Sequence, residues 1–254
     1  MSAAAWETVT GGDLGGDGGQ SLSDVAFIGT GYIAVGLSGS GMVWTSPDAD
    51  SWTAQPAVGL ESGQLLHIEP SPVGKLVGVG HDLSDALVFA AWTSADGTTW
   101  IKQPPAAGEL PPGTQAVSDL AEYPGGYVAV GLVNTNDEFD GVWWTSADGT
   151  NWEARSLSEP GVQRMLGVAV SDGVMVAAGE HRPDAGIWRG PAGGNFRRIS
   201  KTNLTTSVSD FDPANADARV FALDIAAGGP GFVAVGADQT TAGTSIGAAW
   251  TSPD

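Results

Sequence analysis

Tryptophan recurs in this sequence in a frame that few folds can accommodate. The copies are VWTSPDADSW at 43–52, AWTSADGTTW at 91–100, WWTSADGTNW at 143–152, IWRGPAGGNF at 187–196 and AWTSPD at 249–254. From Trp44 to Trp92, Trp144, Trp188 and Trp250 the steps are 48, 52, 44 and 62 residues. Upstream of each copy stands a glycine-bounded apolar run: GYIAVG at 31, GKLVGVG at 74, GYVAVG at 126, GVMVAAG at 173 and GFVAVG at 231. A further apolar stretch precedes each run: SDVAF at 23, LHIEP at 66, SDLAE at 118, LGVAV at 166 and LDIAA at 223. The residues after the tryptophans (WTAQP, WIKQP, WEARS, FRRIS) supply a fourth.

Four short strands joined by Gly/Pro turns and repeated about every 50 residues are the sequence form of a propeller blade. The expectation is therefore an all-β fold, a five-bladed β-propeller of four-stranded antiparallel blades in a single domain over 1–254. The blades fall at approximately 22–56, 65–104, 117–157, 165–200 and 220–254. The fifth copy ends before its fourth strand, and Ala5-Trp6-Glu7-Thr8-Val9 has the missing tryptophan. Residues 4–10 are thus predicted to pair with 246–252 and close the ring, leaving no open seam. A linear solenoid of the same period would instead need polar capping units at its ends.

Ser46-x-Asp48, Ser94-x-Asp96-Gly97 and Ser146-x-Asp148-Gly149 lie between the third and fourth strands, ahead of Trp52, Trp100 and Trp152. Serine and aspartate accept hydrogen bonds from turn amides and glycine supplies positive φ, so these residues are read as hairpin chemistry. The copies resemble the Asp-box (bacterial neuraminidase-type) repeat. The blade pattern as a whole is similar to tryptophan-rich propeller repeats of secreted bacterial proteins. The serine-to-tryptophan spacing is one residue shorter than in that repeat, and sialidase chemistry is not carried over.

Composition narrows the function. There are 29 acidic against 10 basic residues, a formal charge of −19, and no cysteine. A basic stripe for nucleic acid cannot be built, and thiol or zinc-ribbon chemistry is excluded. No apolar run approaches the roughly 20 residues that span a bilayer, so membrane insertion is not expected. MSAAAWETVT lacks the charged and apolar regions of a secretion signal. The absence of cysteine suits a cytoplasmic or a secreted bacterial setting.

In a meandering blade, the loops before each first strand share a face with the turns joining second and third strands. That face carries the long segments here, and long loops on a rigid scaffold are where binding residues concentrate. The expected function is a non-catalytic module binding glycans or a protein partner through it, with His67, His81, Asp119, Asp137, Asp140, His181, Arg182 and Asp184 as ligand-binding candidates. Neighbouring carboxylates are expected to favour the charged form of these histidines.

Aligning the innermost strands puts Asp24, His67, Asp119, Gly167 and Asp224 at one register near the axis. Asp24, Asp119 and Asp224 are weak candidates for a divalent cation such as calcium, whose preference is for oxygen ligands. Asn134-x-Asn136-x-Glu138-x-Asp140 and the group Asp210, Asp212, Asn215 and Asp217 have calcium-like oxygen content, and solvated acidic loops explain both. The alternative function is a glycosidase using the central carboxylates as acid and base or nucleophile.

Overall fold

The computed structural model describes residues 7–9, 12–14, 19–71, 74–84, 87–157, 159–199, 219–229, 231–239 and 245–252. They form five antiparallel sheets, each with its strands side by side in chain order. The first contains β1 (Ser21–Phe27), β2 (Tyr32–Ser38), β3 (Ser40–Ser46) and β4 (Thr53–Pro56). The second contains β5 (Gly63–Pro70), β6 (Leu76–Asp82), β7 (Val88–Ser94) and β8 (Trp100–Lys102). The third contains β9 (Thr114–Tyr123), β10 (Gly126–Thr135), β11 (Glu138–Ser146) and β12 (Glu153–Ser156). The fourth contains β13 (Gln163–Ser171), β14 (Val174–His181), β15 (Asp184–Pro191) and β16 (Arg197–Arg198). The fifth has three strands: β17 (Arg219–Gly228), β18 (Gly231–Gln239) and β19 (Ser245–Ser252).

The innermost strands β1, β5, β9, β13 and β17 touch in succession, as blades of a propeller do. The second strands β6, β10 and β14 are apolar on both faces because each is sandwiched between two blades. In β10, Tyr127 and Ala129 pack toward the second sheet, and Val128 and Val130 toward the fourth. Between the second and third sheets, Phe89 stacks on Trp144 at 4.5 Å and meets the edge of Trp152 at 5.5 Å. Trp143, whose counterparts are Val43, Ala91, Ile187 and Ala249, is 4% exposed and packs edge-on to Phe196. It enlarges a local core.

The glycine that ends each second-strand signature has a steric cause. Each innermost strand is matched to its neighbour through a one-residue register shift, and the glycine lies there. A Cβ on Gly36, Gly80, Gly131 or Gly179 would stand 1.9 Å from a carbonyl oxygen of the innermost strand. Only glycine admits that approach.

The hairpins follow the sequence reading. The Asp148 carboxylate accepts the amides of Thr150 and Asn151 at 2.8 Å, while the Ser146 hydroxyl accepts the Gly149 amide at 2.9 Å. The Trp152 indole then donates to the Gly149 carbonyl at 3.1 Å. The same set recurs around Asp96. In the first sheet Ala49 takes the left-handed position, φ 68°, that Gly97 and Gly149 hold elsewhere.

The closure expectation is corrected in part. The fifth sheet has no fourth strand among the described residues, and Glu7, Thr8 and Val9 are exposed and outside any strand. Residues 4–6 and 10 lie outside the described residues. Further along, Gly12 bridges to Trp52 and the Asp13 amide donates to the Trp52 carbonyl at 2.9 Å, so this part of the chain lies against the first sheet.

Candidate functional site

The axial register is confirmed by pairing. Asp24, His67, Asp119, Gly167 and Asp224 lie opposite Val35, Val79, Val130, Ala178 and Val235. Four of these five positions join their sheet to the next. Asp24 accepts the Ile68 amide at 2.8 Å, and Asp119 accepts the Val168 amide at 2.7 Å. His67 hydrogen-bonds the Ser118 backbone. At Gly167 a Cβ would sit 3.0 Å from the Asp224 Cα, so glycine allows the fourth and fifth sheets to approach. Asp224 accepts its own neighbour, the Ile225 amide, at 2.7 Å.

Those bonds give Asp24 and Asp119 a task other than metal binding. Among the described residues no three His, Asp or Glu side chains are grouped to hold a metal ion. The calcium-like spacing at Asn134 is also turn chemistry: Asn136 and Asp137 have φ 54° and 68°, the pattern of a tight hairpin, and the Asp137 amide donates to Asn134 Oδ1 at 2.9 Å. Asp210, Asp212, Asn215 and Asp217 lie outside the described residues.

The innermost strands carry one departure from the repeat. Two positions beyond the axial register stand Ala26, Ala121, Ala169 and Ala226, but the second blade has Glu69. Burial pushes the Glu69 carboxyl up to about 7, and the charges of Asp24, Asp119 and Glu122 act in the same direction. Asp119 is pushed up to about 6 by burial, opposed by the Val168 and Leu120 amides and reinforced by Asp224 and Asp24. The E in LHIEP against the A in the other four stretches was the available signal.

Glu69 lies near the end of β5 that leads into the short turns. There Ser71, Lys75, Glu122, Tyr123, Gly125, Tyr127 and Asp148 line a cleft of about 390 Å³. Glu122 lines this cleft and its charge acts on Glu69, which is not itself one of the lining residues.

The expected loop-face residues do not form one constellation. His81 lies one residue before the end of β6, and its Nε2 accepts the Val117 amide at 3.3 Å, tying the second sheet to the third. Asp137 and Asp140 belong to the β10–β11 hairpin. His181, Arg182 and Asp184 form another hairpin, inside a charged network. There Arg182 Nε donates to Glu180 at 2.7 Å, His181 Nε2 is 3.5 Å from Glu159, and Arg198 is 3.9 Å from Asp184. The charge expectation for His67 and His81 is overturned: burial lowers both imidazoles, and at His67 it outweighs the pull of Asp24. The 3.9 Å approach of His67 to Asp119 is therefore a contact of a neutral ring at pH 7.

No protein-family model matches the sequence, and no curated protein is similar to it by sequence. Solved structures do share the strand arrangement. A protein of unknown function from Dyadobacter fermentans matches with TM-score 0.52 at 13% identity, over 89% of this chain and 74% of that one. An α-L-arabinofuranosidase from Clostridium thermocellum matches with TM-score 0.43 at 10% identity, over 88% and 83%. An arabinanase from Bacillus subtilis matches with TM-score 0.42 at 15% identity, over 76% and 74%. At these identities the likeness is one of fold, a propeller-like all-β array.

The expectation of a non-catalytic module binding through the loop-rich face is corrected here. What overturns it is the pair of raised carboxyls at the axis, Glu69 at about 7 and Asp119 at about 6, with Glu122, whose charge acts on Glu69, lining the cleft on the short-turn face.

Proposed function

We propose that this protein is a glycoside-processing enzyme whose acid is Glu69. The observation that carries the proposal is a glutamate in the place of a repeated alanine, held up to about 7 by burial and by three neighbouring carboxylates. Glycoside cleavage needs one carboxyl protonated near neutral pH, to give its proton to the leaving oxygen. It needs a second carboxylate to activate water or attack the anomeric carbon. Glu69 fits the first role. Glu122, which lines the cleft beside Tyr123 and Tyr127, fits the second. Asp24 and Asp119 act as positioning residues: they clip adjacent blades together, and their charge adds to the burial that raises the Glu69 carboxyl. A formal charge of −19 favours neutral glycans over polyanionic ones as substrates. The test is a panel of neutral aryl glycosides and oligosaccharides, assayed with the unaltered chain and with Glu69→Gln. Turnover lost in the variant supports the reading, and glycan binding without turnover by either protein contradicts it.

The same reading takes the five sheets as a closed ring with Asp-box-type hairpins at its rim. Two exposed faces support closure. Val233 and Val235 of β18 are 44% and 47% exposed, whereas their counterparts Ile33, Val35, Val77, Val79, Val128 and Val130 are buried at the seams. On β1, Val25 is 56% exposed, while its counterparts Ile68, Leu120, Val168 and Ile225 are buried. Each is half of a seam that the repeat forms four times, so the two halves are complementary in shape and chemistry.

A further inference from the structure

We propose that the cleft between the outer strands of the third and fourth sheets binds a uronic-acid sugar unit, its carboxylate held between Arg155 and Arg198. The inference rests on the glycan reading and names one unit of the substrate. The cleft measures about 530 Å³ and is lined by Trp143, Arg155, Glu159, Phe196, Arg197 and Arg198. Small-ligand sites span roughly 300–1,000 Å³. Three arginines against one glutamate reverse the balance of the chain, which has 10 basic and 29 acidic residues. Register places the two guanidinium groups. Arg155 on β12 pairs with Trp143 on β11, and Arg198 on β16 pairs with Trp188 on β15. Both tryptophans belong to the core that joins the third sheet to the fourth. Cross-strand partners share a face of their sheet, so Arg155 and Arg198 approach this seam from opposite sides.

Three departures from the repeat meet at this seam. Trp143 replaces a smaller residue, Arg155 stands where other blades have Gln55, Gln103 and Ile199, and Arg198 stands where they have Ala54, Lys102 and Ala154. Lys102 is paired with Asp82 at the end of β6, and the fourth sheet has His181 in the place of that carboxylate. Arg198 contacts His181 Nε2 at 3.2 Å and lies 3.9 Å from Asp184, while its Nε is buried without a hydrogen-bond partner. A buried donor in that state is destabilising until an acceptor reaches it. Arg155 donates to Thr145 at 2.9 Å and to Glu153 at 2.7 Å, and Glu153, 59% exposed, forms only the weak pair of a surface site. Guanidinium forks match a carboxylate with paired hydrogen bonds. The Trp143 indole is fixed by a 3.3 Å bond to the Gly194 carbonyl and makes with Phe196 an apolar wall for a sugar's C–H face. Ser156, Glu159 and Asn195 supply partners for its hydroxyls. A further cleft of about 440 Å³ shares Arg155 with this one and Tyr123 with the short-turn cleft beside Glu122. A glycan reaching outward from Glu122 thus passes Tyr123 before it meets Arg155. Screening acts over about 8 Å at physiological ionic strength, so a single carboxylate in the cleft responds to these arginines rather than to the charge of the whole chain.

The test is calorimetric titration of the full chain with D-glucuronate, D-glucose and inorganic phosphate. Glucuronate should bind at least about tenfold more tightly than glucose or phosphate. Arg155→Gln introduces the residue of the first two blades, and Arg198→Ala that of the first and third, so both substitutions suit the fold. Each should weaken glucuronate binding by about tenfold or more. Glucose bound as tightly as glucuronate would overturn the proposal, and phosphate bound as tightly would show an unselective anion site and overturn it too. Absence of glucuronate binding, or an affinity unchanged in both arginine variants, would also overturn it. Turnover of neutral aryl glycosides, measured on the same preparation, separates the two readings. Turnover without glucuronate binding overturns this inference alone, and glucuronate binding with no turnover of any glycoside overturns the assignment of Glu69 alone.

Discussion

Asp119 on β9 accepts the amide of Val168 on β13 at 2.7 Å, while its other carboxylate oxygen holds the Leu120 amide at 2.8 Å. One side chain thus joins two blades at the axis, and Asp24 repeats the arrangement toward Ile68. Asp119→Ala should lower stability by about 1–3 kcal/mol, because the part-buried Val168 amide loses its acceptor. Asp119→Asn should recover part of that loss, since an amide oxygen can accept one of the two bonds. Denaturant unfolding of the two variants measures both effects.

The raised carboxyls set a pH dependence of stability. Glu69 and Asp119 bind protons more tightly in the folded chain than in the unfolded one, moving from 4.5 to about 7 and from 3.8 to about 6. Their contribution is fully present below about pH 4 and is lost as pH rises through 6 and 7. Asp82 and Asp148 run the other way, lowered to about 2 by the hydrogen bonds they accept, so their contribution is lost as pH falls below about 4. The melting temperature should therefore be highest in the mildly acidic range and fall toward pH 8. Glu69→Gln should flatten the decline between about pH 4.5 and 7. A melting temperature that rises steadily to pH 8 would contradict the assignment.

At the first hairpin, Ala49 with φ 68° stands where the second and third hairpins have glycine. Ala49→Gly should stabilise the chain by about 1 kcal/mol, since glycine reaches this conformation without a Cβ clash. Asp148→Ala should destabilise by about 1 kcal/mol, discounted for exposure of the turn, by leaving the Thr150 and Asn151 amides to solvent. Calorimetric scans of the two variants should move in opposite directions.

Gly131 tests the packing account of the repeated glycine. A methyl group there would meet the Ala116 carbonyl oxygen at 1.9 Å, so Gly131→Ala must displace β9 or β10. A loss of about 1–3 kcal/mol is expected. Alanine at Gly247, where a Cβ would meet nothing within 4 Å, should cost far less.

The blades were legible because period-2 strands, turn glycines and the tryptophan frame agree with one another in four copies. Hairpin chemistry was legible for the same reason, since Ser, Asp and Gly at fixed offsets have few other physical uses. The axial register was legible, but the task of two of its aspartates was not: Asp24 and Asp119 are interblade clips, which only the partner amides of Ile68 and Val168 reveal. Glu69 was visible as one departure in five aligned stretches. Its significance depends on burial and on the charge of Asp24, Asp119 and Glu122, which lie on other strands. The histidines were misjudged because proximity to carboxylates can be read from a sequence pattern, whereas the desolvation that outweighs it at His67 cannot.

The most direct test of the account is the pH profile of kcat/KM on a neutral aryl glycoside, measured for the unaltered chain and for Glu69→Gln. The account predicts a basic limb that falls near pH 7 as Glu69 loses its proton, and a drop of about 10²–10⁴-fold in the variant, with its basic limb gone. A variant that retains full activity and the same basic limb, or an unaltered chain that binds glycans and turns none over, would contradict it.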